Sequence, residues 1–356
     1  MRDASFEFLQ QLLAAPSPSG YEQPAQRVFR SYIEPFCQVA TDVMGNVFGM
    51  IQGEGKDRPR VMVVGHSDEI GLQVRYLDDN GFIYFSAIGG VDPHITPGMR
   101  VQVHTSRGAL NGVIGKRPIH LIEPKEREQV IKLDAQYIDI GAASKKEAQE
   151  WVRVGDPITF AGSLERLFGD RVSSRGLDDK AGSFVVAEVL RRVSELTDRL
   201  PVDLYGVSSV QEEVGLRGGT TSSYSVNPDV GICVEVDFAT DQPDVDKKHN
   251  GEVGLGKGPI LPRGANINPV LFDLLSDTAR DNGIAVQFTG IARATGTDAN
   301  PMQISRGGVA TALVKLPLRY MHTPVETMSL SDLDHAVELI VASLSRMGKR
   351  DAFIPM

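Results

Sequence analysis

Val61-Met62-Val63-Val64-Gly65-His66-Ser67-Asp68 is a short apolar run that delivers a histidine and a carboxylate at its end. Three further runs follow the same pattern. Leu204 to Val210 leads into Gln211-Glu212-Glu213, Val230 to Val234 leads into Glu235 with Asp237 close behind, and Val309 to Leu316 leads into Arg319-Tyr320-Met321-His322. In an α/β sheet, ligands and catalytic groups gather beyond the carboxyl ends of parallel strands. Four strand ends that bring His and carboxylates together describe a hydrolytic metal site.

The composition permits such a fold and excludes others. At 356 residues, the chain exceeds a typical single domain. Its net charge of −9 argues against nucleic acid as the main partner, because phosphate binding needs a basic surface. No run approaches the ~20 apolar residues of a membrane span. The opening residues lead into an amphipathic helix bearing Phe6, Leu9, Leu12 and Leu13, without the apolar stretch of a signal peptide. A cytoplasmic protein is expected, with Cys37 and Cys233 as free thiols.

Helical periodicity covers 5–14 and roughly 21–33, with short strands around 38–52 and 60–65. Between about 73 and 165 the texture changes. Leu72 to Tyr76, Gly81 to Ala87, Arg100 to His104, Asn111 to Gly115 and Asp156 to Phe160 read as short strands. Turn signals such as Asp79-Asn80-Gly81 and Pro97-Gly98 separate them, which suggests a small β-barrel. From about 166 the βα alternation resumes, with helices at 180–197, 269–281 and 331–347 and strands at 202–210, 229–236, 284–289 and 308–316. The expected architecture is α/β: a mainly parallel sheet with helices on both faces, formed by 1–72 and 166–356 and interrupted by a β-barrel insert at 73–165.

A two-metal hydrolase needs donors that hold two divalent cations ~3.5–4 Å apart, and a base for the attacking water. Imidazole and carboxylate suit zinc, cobalt or manganese. His66, Asp178, Glu213, Glu235 and His322 are the candidates. In Asp178-Asp179, N-capping of the following helix would account for one of the two acids, and spacing leaves open which. If Glu213 binds a cation, Glu212 stands beside it as general base. Asp68 shares a face with His66 on an extended segment and can orient its imidazole.

In combination, several segments resemble the M42 family of metalloaminopeptidases. They are Gly65-His66-Ser67-Asp68-Glu69-Ile70-Gly71, Gly176-Leu177-Asp178-Asp179-Lys180-Ala181-Gly182, Gln211-Glu212-Glu213-Val214-Gly215-Leu216-Arg217-Gly218, Phe238-Ala239-Thr240-Asp241-Gln242-Pro243, Gly296-Thr297-Asp298-Ala299 and Arg319-Tyr320-Met321-His322-Thr323-Pro324-Val325-Glu326. The resemblance implies a zinc-peptidase-like catalytic domain with two metal ions, zinc or cobalt foremost and manganese as an alternative. It implies that His66, Asp178 and Glu235 hold one ion, and that His322, Glu213 and the bridging Asp178 hold the other. Glu212 would be the general base, with Asp68 supporting His66. The family usually has Asp where this chain has Glu235, which leaves Asp237 as a second candidate. Peptide substrates and a homo-oligomer, possibly a dodecamer, come with the resemblance.

Other features fit less closely. Gly254-Leu255-Gly256-Lys257-Gly258 lacks the phosphate-loop spacing and reads as a mobile loop near the substrate. Arg293 and Gly296-Thr297-Asp298 could line a substrate pocket, and His120 could reach a neighbouring subunit. Three rivals remain: another peptidase or deacylase of the same superfamily; a glycosidase of the endoglucanase type, whose paired carboxylates need no metal; and a non-catalytic binding protein, which would be expected to lose Glu212 or a ligand. The second leaves His66 and His322 without a task.

Overall fold

The computed structural model describes all 356 residues, Met1–Met356. Two helices open the chain, α1 (Asp3–Ala14) and α2 (Gln23–Ile33), followed by strands β1 (Gln38–Thr41), β2 (Val47–Ile51) and β3 (Arg60–His66). The chain then leaves for the insert. This comprises β4 (Gly71–Leu77), β5 (Ile83–Ile88), β6 (Arg100–Thr105), β7 (Gly108–Gly115), β8 (Tyr137–Asp139), the short helix α3 (Lys145–Gln149) and β9 (Pro157–Phe160). On its return it forms β10 (Glu165–Arg166), β11 (Arg171–Ser174), α4 (Leu177–Ser194), β12 (Asp203–Ser209), α5 (Arg217–Val226) and β13 (Val230–Phe238). The last part runs through α6 (Lys247–Asn250), β14 (Ile260–Gly264), α7 (Pro269–Asn282), β15 (Gln287–Ile291), α8 (Ala299–Gln303), β16 (Ala310–Leu318), β17 (Glu326–Ser329) and α9 (Leu330–Leu344).

Eight strands form one mixed, mostly parallel sheet in the order β1-β2-β12-β3-β13-β16-β14-β15. β12, β3, β13 and β16 run parallel to one another at its centre. Val61, Met62, Val63 and Val64 have no exposed surface, as a strand covered on both faces requires. α4 covers one face, packed against β3 and β13, with α1, α2 and α9 packed against it. α5 and α8 cover the other. Where β3 ends, the start of α4 comes down directly upon it. A Cβ on Gly65 would lie 2.5 Å from the carbonyl carbon of Gly182, so only glycine permits this approach. The contact sets Asp178 and Asp179 beside His66.

The insert is a closed barrel in the order β4-β5-β8-β7-β6-β9. It has its own core, including Leu72, Val74, Phe85, Val103, Ile138 and Ile158, separate from the core of the large sheet. Both the α/β architecture and the barrel insert therefore match the reading of the sequence. Several short strands escaped that reading. β8 has three residues and a single buried one, Ile138, too few to show a period. β14 contains Pro262 and lies next to the sheet edge, where a missing N–H is tolerated. The strand expected at 284–289 begins at Gln287. Ile284 instead completes the end of α7 after Gly283, and its N–H donates to the Ala279 carbonyl. No helix is long and apolar enough to cross a membrane. Cys37 and Cys233 are both free.

Candidate metal centre

Register places the first two candidates level. β13 pairs with β3 through Cys233 and Val64, so Glu235 and His66 stand side by side two residues further on. Glu235 lies within β13, which continues to Phe238, and not at its end as the apolar run suggested. Its Oε1 is 3.6 Å from His66 Nε2. His66 is 2% exposed, and its Nδ1 lies 3.0 Å from the Asp68 carbonyl oxygen. A carbonyl only accepts, so the Nδ1 proton points to it and Nε2 is left with a lone pair facing the carboxylates.

The two adjacent aspartates divide their roles. Asp179 Oδ1 accepts from Gly182 N at 3.0 Å, the N-cap bond of the helix proper, while Oδ2 accepts from His66 N at 3.2 Å. Asp178 is spared this duty. Its Oδ1 lies 3.3 Å from His66 Nε2 and its Oδ2 lies 3.3 Å from His322 Nε2, so one carboxylate spans both imidazoles. His322 Nε2 is also 3.3 Å from Glu213 Oε1. The donor atoms form two groups, His66–Asp179–Glu235 and Asp178–Glu213–His322. Asp179 is close enough to belong to the first group. Asp178 is the better placed of the two, because both Asp179 oxygens already accept backbone protons.

Glu212 Oε2 stands 3.8 Å from His66 Nε2, at the mouth of the same cluster. Asp68 holds this segment as well as His66. Its Oδ1 accepts from Glu212 N at 3.0 Å, and its Oδ2 accepts from Glu213 N at 3.1 Å and Ser19 Oγ at 2.6 Å. Gln211, Tyr320 and His322 all have positive φ, at 57°, 60° and 62°. Non-glycine residues seldom rest there, and such positions collect at functional sites.

His66, Asp178, Glu212, Glu213, Glu235 and His322 line one cleft of about 1060 Å³. Asp237 lines it too, but its Oδ2 is taken by Lys315 Nζ at 2.8 Å. Gly296 and Thr297 reach the cleft as expected, whereas Arg293 and Asp298 do not, the buried Asp298 accepting from Ser209 Oγ at 2.6 Å. Gly254 to Gly258 is held by side chains of neighbouring elements: Gln287 accepts from Gly254 N, and Asp332 accepts from Gly256 N and Gly258 N. His120 lies exposed on a single helical turn of the insert, far along the chain from these groups.

The charge balance favours cations. Burial pushes Glu212 up to about 10, against the pull of His66, and raises Glu213 and Glu235 as well. The Asp178 and Glu213 carboxylates that face its Nε2 push His322 up to about 11, so the pocket holds positive charge tightly. Glu213 Oε1 is buried and has no hydrogen-bond partner. A buried, unpartnered carboxylate oxygen aimed at an imidazole nitrogen fits a cation.

Two supporting residues were not singled out from the sequence. Glu326 is 2% exposed, and it accepts from Asp178 N at 3.1 Å and His322 N at 2.9 Å. Burial and the neighbouring Asp178 raise it far above the usual carboxylate range. The Gly90 carbonyl, from the insert, lies 3.0 Å from His322 Nδ1. The signal for Glu326 was its place in the Thr323-Pro324-Val325-Glu326 segment, whereas nothing marked Gly90 in a run of ordinary turn residues.

Comparison with known proteins gives this centre its family. The M42 glutamyl aminopeptidase profile matches residues 45–339. A lysyl aminopeptidase of Pyrococcus furiosus is 37% identical over 350 residues, 97% of this chain and 98% of that one. A TET aminopeptidase from a marine-sediment thaumarchaeon superposes with a TM-score of 0.94 at 33% identity, covering 99% of both chains. A TET peptidase of Pyrococcus horikoshii, described as assembling into a tetrahedron or a large octahedral shell, gives a TM-score of 0.83 at 33% identity over 96% of this chain and 100% of its own. The profile spans most of the chain and the relatives span nearly all of it, so this protein belongs to the M42 family of aminopeptidases, hydrolases that act on peptides.

Proposed function

We propose that the protein removes N-terminal residues from peptides at a dinuclear metal centre. The two half-sites are His66, Glu235 and Asp178, and His322, Glu213 and the same Asp178. The observation that carries this reading is the Asp178 carboxylate, whose two oxygens each lie 3.3 Å from a different imidazole. Two divalent cations, zinc or cobalt by the mixed imidazole and carboxylate set and manganese as the alternative, would supply Lewis acidity and an acidified water. Asp68 fixes the His66 tautomer through its carbonyl and the Glu212–Glu213 backbone through its carboxylate. Glu212 takes the proton from the attacking water and returns it to the departing amine. With cations bound beside it, the Glu212 carboxyl would titrate below the high value that burial imposes.

Residues 1–72 and 166–356 form the catalytic domain, and the insert at 73–165 serves assembly and substrate access. The dodecamer in one similar solved structure and the tetrahedral or octahedral shells described for another support a homo-oligomer, a dodecamer foremost. The similarity to a lysyl aminopeptidase supports cleavage after the N-terminal residue, with the shortened peptide leaving as the amine. A glycosidase reading leaves both imidazoles idle. Dialysis against a chelator should abolish peptide hydrolysis, and zinc, cobalt or manganese should restore it. Full activity in protein shown by elemental analysis to be metal-free would sink the proposal.

A further inference from the structure

The two histidines are held in different ways. His66 ends a central strand, is 2% exposed, and finds its Nδ1 partner two residues further along the same segment. His322 sits in a loop at a φ of 62°, with its side chain 34% exposed. A ring on such a backbone needs partners from elsewhere. Glu326 holds its backbone N–H, and the Gly90 carbonyl, 232 residues away in the chain, takes its Nδ1 proton at 3.0 Å.

Gly89 and Gly90 follow β5 and precede β6, within the barrel insert. A Cβ on Gly90 would lie 2.8 Å from His322 Nδ1 and 3.0 Å from its Cε1. A Cβ on Gly89 would lie 3.1 Å from Glu213 Oε2. The backbone of this dipeptide therefore packs on two of the three side chains of one half-site, and a side chain at either position would intrude.

We propose that Gly90, with Gly89 beside it, is a positioning residue through which the barrel insert completes the Asp178–Glu213–His322 half-site, an inference that rests on the dinuclear reading above. The carbonyl selects the tautomer that leaves His322 Nε2 facing Asp178 Oδ2 and Glu213 Oε1, both at 3.3 Å. The half-site built on His66 has no comparable contact with the insert. Cation binding at the His322 half-site and docking of the 89–90 segment must therefore strengthen one another, since linkage is reciprocal.

Gly90→Ala tests this without forcing an unusual φ, because Gly90 is absent from the positive-φ glycines. Loss of a group that orients a metal-binding His typically costs about 10–100-fold in metal affinity. Calorimetric titration of stripped protein with cobalt should show one of two equivalents weakened by that factor and the other unchanged. Gly162→Ala is the control, since its new Cβ meets nothing closer than the Pro324 carbonyl at 3.8 Å. Two equivalents at undiminished affinity in Gly90→Ala would overturn the proposal. The unmodified protein offers an independent readout: hydrogen exchange over residues 86–92 should slow on the second cobalt equivalent and not on the first. Exchange that ignores the second equivalent would equally overturn it. An unmodified chain that takes up a single cobalt would instead overturn the two-site reading itself.

Discussion

Glu212 and Glu213 are adjacent acids with opposite prospects. Glu212→Gln keeps size and hydrogen bonding but removes the base, so folding and metal content should survive. Loss of a positioned general base costs ~10²–10⁴-fold in rate, about 3–5 kcal/mol of barrier. The loss should fall on kcat more than on KM, because proton transfer belongs to the transition state. Glu213→Gln should instead weaken one metal, with partial rescue by excess. A Glu212→Gln protein with both metals and near-normal kcat would move the base elsewhere, Asp68 being next to test. A second contrast concerns β13. Glu235 faces His66, while Asp237 is neutralised by Lys315. Elemental analysis should find metal reduced in Glu235→Ala and retained in Asp237→Ala. The reverse result would show that the wrong acid had been chosen.

At the scale of elements, the site depends on a buried ionic junction behind it. Glu69, in the turn from β3 to β4, accepts from Ser17 N at 2.9 Å and Lys180 Nζ at 3.0 Å and pairs with Arg175. It thereby ties the α1–α2 connection to the first turn of α4. Burial would raise Glu69 above its ordinary 4.5, but Arg175 and Lys180 outweigh it and hold the carboxyl down to about 2. A depressed acid stabilises the fold fully above its ordinary value, and the contribution is lost as pH falls from about 4.5 towards about 2. Glu69→Gln strands two buried cations and should cost about 3–5 kcal/mol at neutral pH. Urea unfolding across a pH series should find that deficit shrinking below pH 4.5. A deficit independent of pH would assign the loss to packing alone.

For the whole molecule, the barrel has its own closed sheet and core and yet meets the catalytic cluster at Gly90. A unit that carries none of the proposed metal donors needs another reason to exist. Assembly would supply one, as the shells described for the Pyrococcus horikoshii relative suggest. Light scattering of the metal-loaded protein at micromolar concentration should report a multi-subunit particle. A monomer under those conditions would remove assembly from the insert's duties.

The sequence by itself determined the class of fold, the barrel and the gathering of His66, Glu212, Glu213 and His322 with one acid of Asp178-Asp179 and one of Glu235 and Asp237, because buried parallel strands are legible as apolar runs and strand ends share one edge of a sheet. Adjacent acids were not separable that way. Asp178 and Asp179 have the same chemistry, and only the helix start shows which one spends its oxygens on backbone N–H groups. Glu235 and Asp237 point to the same face of one strand, and only the neighbouring strand reveals that Lys315 claims the second. Gly90 was decided by tertiary structure alone, and so was the task of Glu326 within a segment that the sequence did mark, because the support each gives is a contact that no local pattern specifies.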